Sequence, residues 1–180
     1  PLAGVLALLF LVGAVALLAA RWGVLQADWT YLAAAWWRVP LLVLVTYLGA
    51  VPLVLSHELA HALACVHGGG RVARFGLLVR HLLPAAFADV SDVYALPRRA
   101  RLAVFLAGPA ATSVCAGAAA VLWAAAPPAS WLHLFGAALL LLALYSTWAA
   151  LIPVAGYDGS EALAEGLGRP GLHRQALGYG

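Results

Sequence analysis

Residues His57-Glu58-Leu59-Ala60-His61 form an H-E-x-x-H. Histidines four apart on a helix stand one turn above each other on the same face, so both can reach one metal ion. The intervening glutamate lies beside the first histidine, placed to take a proton from a water that the metal activates. Zinc is the default ion, one per chain, and a catalytic zinc needs a third protein ligand and an open position. The remaining candidates are Asp158, Asp89, Asp92, His67 and His81. His67 lies six residues beyond His61, on another helix face. Asp89, Asp92 and His81 sit in a polar stretch where solvated charge is the ordinary outcome. Asp158 follows a proline break and has glycines on either side, at 156 and 159, that let backbone come close; it is the favoured third ligand.

The setting of the motif is unusual. Of the 180 residues, 65% are hydrophobic and 9% charged, against about 25% charged in a soluble domain. A polytopic membrane protein is expected, with lipid as its solvent. All ten basic residues are arginine, and their placement argues for membrane topology rather than nucleic acid. The alanine, glycine and arginine bias suggests a GC-rich genome. There is no methionine, so the chain is expected to be part of a longer product or one trimmed at its start. Cys65 and Cys115 lie in separate apolar runs with no C-x-x-C, and small buried hydrophobes are the expectation.

Four spans are predicted. The first is Leu2–Ala20, roughly 28 Å long as a helix, closed by Arg21 and Trp22. Gln26–Arg38 reads as an interfacial segment or short amphipathic helix whose aromatic residues form a belt. The second span is Leu41–Val66, with Pro40 in its first turn, Pro52 inside it as a kink signal, and Gly68-Gly69-Gly70 as its stop. The third is Leu102–Ala126, containing Gly108-Pro109, another kink signal. The fourth is Trp131–Ile152, broken at Pro153. Between the second and third lies a polar insertion, 71–101, where Arg71–Arg80 is expected as a strand and Phe87–Tyr94 as a second strand or a turn. The fold class is therefore all-α and polytopic, with a small β or irregular surface insertion. Its parts are an N-terminal span and interfacial segment (1–38), a core (39–161) and a tail (162–180), amphipathic or irregular from Glu161 onward.

Orientation follows from arginine bias. The 71–101 loop holds six arginines and the 127–130 turn none, so the first is expected on the cytoplasmic side. That brings the H-E-x-x-H and Asp158 to one membrane depth, facing the cytoplasm, in what is expected to be a bacterial cell membrane.

H-E-L-A-H in one span, followed by Leu151–Gly159 (LIPVAGYDG) closing a later one, resembles the site-2 protease family of intramembrane zinc metalloproteases. The likeness covers about Leu41–Glu161. Phe105–Thr112 (FLAGPAAT) is similar to the family's A-G-P-x-x-N stretch, and Phe87–Arg101 looks like the branch described as peptide zinc metalloproteases. The resemblance implies a three-helix catalytic core, with His57, His61 and Asp158 as ligands and Glu58 as general base. It implies a membrane-embedded protein or peptide as substrate, held as an added strand by Arg71–Arg80, Phe75 among its contacts. Three positions depart from the family pattern. Ala150 and Thr112 stand where the family commonly has asparagine, and Gly156 stands where it has proline. Ser146 and Thr147, one turn before Ala150, are the expected substitutes for the lost amide, and Thr112 or Ser146 would assist the oxyanion. The leading expectation is a zinc endopeptidase. The alternative is a pseudoprotease, a metal-binding membrane scaffold that has lost turnover. A metal transporter is weaker, because one closed site fits the pattern better than a pathway.

Overall fold

The computed structural model describes residues 2–80, 83–154 and 156–168. His81 and the tail beyond residue 168 lie outside them. The described chain is mostly helical, in the order α1 (Leu2–Ala20), α2 (Trp22–Ala33), α3 (Arg38–His67), β1 (Phe75–Arg80), β2 (Leu83–Ala88), a 3-10 turn (Ser91–Ala95), α4 (Arg98–Ala125), α5 (Trp131–Leu151) and α6 (Asp158–Gly166). Helices α1, α3, α4 and α5 are long and apolar enough to cross a membrane.

Each long helix forms where an apolar run exceeds about 18 residues; α3 ends before Gly68-Gly69-Gly70, α4 shortly before Pro127-Pro128 and α5 shortly before Pro153. Pro52 and Pro109 lie inside α3 and α4, since a single proline removes only one ladder bond. Three expectations need correction. Helix α4 starts at Arg98 rather than Leu102, because Pro97 supplies its first carbonyl to the amides of Ala100 and Arg101. Arg98, Arg99 and Arg101 are therefore helical. The second strand is Leu83–Ala88, and of Phe87–Tyr94, expected as a second strand or a turn, only Phe87 and Ala88 are strand while Ser91–Tyr94 lie in the 3-10 turn: the Asp89 carboxylate accepts from the Ser91 amide and hydroxyl and turns the chain out of the ladder. The segment expected from Gln26 to Arg38 is a helix that starts at Trp22, immediately after α1, and ends at Ala33.

Strands β1 and β2 pair antiparallel, Phe75 opposite Ala88 and Leu78 opposite Ala85. The ladder extends through Asp89, whose carbonyl accepts from the Ala73 amide and whose amide donates to the Arg74 carbonyl.

The chain divides into two compact units. The first comprises Pro1–Leu53 and Thr112–Tyr145. Its core is Ala14, Leu25, Leu53, Trp123, Leu140 and Ala143 with the alanines of α4. The second comprises Val54–Ala111 and Ser146–Gly180. Its core is Cys65, Val93, Leu96, Val104 and Phe105, with Ala162 of α6 packed against them. Cys65 and Cys115 are thiols and are not joined in a disulfide.

Candidate metal centre

Within the second unit, α3 presents His57 and His61 one turn apart, and α6 presents Asp158 as its first residue. The three converge. His57 Nε2 lies 3.1 Å from Asp158 Oδ2 and 3.1 Å from His61 Nε2, and His61 Nε2 lies 3.3 Å from Asp158 Oδ2. They form the group of His, Cys, Asp and Glu found with metal-ligand spacing among the described residues. The triangle can be tested against an ion. Tetrahedral zinc with bonds of about 2.0–2.1 Å sets its ligand atoms about 3.3–3.4 Å apart. The observed edges come close to that figure, and the donor set of two imidazoles and one carboxylate suits the ion.

The protonation pattern points the same way. His61 Nδ1 lies 2.7 Å from the Val104 carbonyl of α4, a contact that assigns the proton to Nδ1 and leaves Nε2 with its lone pair aimed at the triangle. The Asp158 carboxylate adds a third electron-pair donor, its Oδ2, facing both imidazole Nε2 atoms. Electron-pair donors facing one another at this range could hold a shared cation.

Gly108 of α4 makes the convergence possible. A Cβ at this position would strike the Nε2 atoms of both His57 and His61. The glycine that reads in sequence as a kink signal is the floor on which both imidazoles rest. Gly159 has a similar duty, since a Cβ there would strike the Leu151 carbonyl. Its absence lets α6 start close under the end of α5, with Asp158 turned to the histidines.

Glu58 is half-buried on α3, and its Oε2 accepts from the Ala88 amide at 2.9 Å. The end of β2 therefore holds the carboxylate next to the His57–His61 turn. Phe75, exposed on β1, is the cross-strand partner of Ala88. The other candidates separate from the centre. Asp89 is engaged by Ser91, whose hydrogen bonds hold its carboxyl below the usual range. Asp92 accepts from the Arg71 amide, and His67 is exposed at the last residue of α3. Thr112 and Thr147 are buried, Ser146 is half-buried, and Ala150 is buried with no polar side chain to offer.

Sequence reasoning missed a second ionisable cluster, in the first unit. Asp28 of α2 sits 3.1 Å from His133 Nε2 of α5, and the Trp123 indole N–H of α4 faces both at 3.1 Å. The signal was available: an aspartate and a histidine in apolar or aromatic helices need partners. No family model, no curated protein and no solved structure matches this chain.

Proposed function

We propose that this chain is an intramembrane zinc endopeptidase of the site-2 protease type, cutting membrane-anchored or membrane-associated proteins or peptides. The convergence of His57, His61 and Asp158 to edges of 3.1–3.3 Å, with Glu58 between the two histidines in sequence, carries the reading. Its setting supports the membrane: α1 and α3 expose Leu8, Leu9, Val12, Val43, Leu44, Leu48 and Leu63, a surface that suits hydrocarbon.

Zinc held by the three ligands would polarise the scissile carbonyl and bring the pKa of a water to about 7. The chain's own residues do the remainder. The Val104 carbonyl keeps His61 in one tautomer, and Asp158 offsets part of the ion's charge. The Ala88 amide fixes Glu58 through Oε2. The Glu58 carboxylate takes the proton of the attacking water and returns it to the amine nitrogen as the C–N bond breaks. The substrate must reach this turn unwound, because a helix keeps its carbonyls in its own ladder.

The scaffold reading has one observation in its favour. Ala150 offers no hydrogen-bonding side chain where the family resemblance would place an amide. The test is cleavage of a membrane-peptide library by the detergent-purified protein and by Glu58→Gln. Peptidase activity is expected to fall roughly 10²- to 10⁴-fold in the variant with zinc retained. Cleavage that survives the substitution removes Glu58 from the chemistry. A zinc-loaded wild type that cuts nothing favours the scaffold.

A further inference from the structure

Three ligands come from two segments, α3 and α6, and neither determines the other's position. Helix α6 is the weaker support. It has nine residues, and its N-cap Tyr157 makes no side-chain capping bond. A helix this short is marginal by itself, so something must hold Asp158 on the histidines.

The support is α4, which contributes no ligand. At the far end of α6, Arg98 donates through Nε to the Glu165 carbonyl at 2.9 Å and through its terminal nitrogen to the Gly166 carbonyl at 2.7 Å. Both carbonyls lie in the last turn of α6, where intrahelical partners run out; the Glu165 carbonyl also accepts from the Gly168 amide at 3.1 Å. Arg101 Nε meets Glu165 Oε1 at 2.7 Å, while its terminal nitrogen holds the Leu96 carbonyl at 2.7 Å. The Glu165 side chain is 2% exposed. One turn further along α4, the Val104 carbonyl orients His61, and one more turn on lies Gly108, beneath both imidazoles. A single helix thus sets the histidines at one level and the C-terminus of α6 at another.

Stability alone does not account for the charge pair. An apolar pair of similar volume is often as stable as a buried ion pair, and among the described residues Glu165 Oε2 is buried with no hydrogen-bond partner. An ion pair is, however, directional. We infer that Arg101 and Glu165, with Arg98, are positioning residues that hold α6 so that Asp158 completes the metal site; the inference rests on the metal-binding reading above.

The test is Zn²⁺ affinity of the full chain in detergent, by chelator competition, together with thermal melting of the metal-free protein. Arg101→Met/Glu165→Met keeps the volume apolar and is expected to melt near wild type. Its zinc affinity is expected to fall roughly 10- to 100-fold, the range for residues that orient a ligand. Glu165→Gln, which still accepts from Arg101, should recover most of that loss. In an Asp158→Ala background the Met/Met change should have no further effect, because it acts through Asp158. Unchanged affinity in Arg101→Met/Glu165→Met overturns the inference, and so does an equal fold-loss with and without Asp158. A wild type that takes up no zinc overturns the metal reading itself, and the inference with it.

Discussion

Among the described residues, two places set an aspartate against a histidine Nε2 at 3.1 Å, and they are built differently. In the first unit, Asp28 faces donors. The Trp123 indole N–H points at it, and the His133 ring completes the contact. This group is sealed, with His133 1% exposed and the Asp28 side chain 9%. Hydrogen bonds satisfy the carboxylate, and the group fastens α2 to α4 and α5. In the second unit, Asp158 faces acceptors. The Val104 carbonyl accepts from the His61 Nδ1–H, so His61 Nε2 presents a lone pair, with His57 Nε2 3.1 Å away. The group is also reachable, with His57 17% and Asp158 25% exposed. A carboxylate–imidazole contact alone therefore says little. The balance of donors and acceptors around it separates a fastening from a site for a cation.

That contrast can be broken by exchange of outcomes. His61→Ala or Asp158→Ala should lower zinc affinity beyond the roughly 100-fold ceiling for changes around a ligand, whereas Asp28→Ala should keep one zinc per chain. Metal analysis of the purified variants decides, and zinc lost from Asp28→Ala alone would reverse the assignment. In stability the order inverts. Removing Asp28 strands His133 and the indole N–H in an apolar core and should cost about 3–5 kcal/mol in denaturant melts. Gly108→Ala sharpens the comparison at the smallest scale. Its methyl must displace both imidazoles, at about 1–3 kcal/mol of overpacking, and zinc affinity should fall with it. A Gly108→Ala protein that binds zinc like wild type would show that α4 is not the floor of the site.

The parts legible in the sequence were the local ones. His57 and His61 are four residues apart, so helix geometry alone makes them neighbours. The four long helices are apolar runs, and glycine or proline marks the stops of α3, α4 and α5. Asp158 could be picked out because a proline break and glycines surround it. What escaped notice is non-local or carried by backbone. The Val104 carbonyl has no residue-type signature. Asp28 and Trp123 are 95 residues apart, and no spacing rule joins them. Arg98 and Arg101 read as topology markers, because an arginine near a membrane span is usually a solvated one. Only the fold shows them turned onto the end of α6. Gly108 looked like a weakness in a helix and proves to be the space that two imidazoles fill.

The most direct measurement is the zinc-edge X-ray absorption spectrum of the wild-type protein loaded with one equivalent of Zn²⁺. The account predicts a first shell of nitrogen and oxygen at about 2.0–2.1 Å with the scattering pattern of two imidazoles. A shell containing sulfur at about 2.3 Å, or one without imidazole, would contradict it.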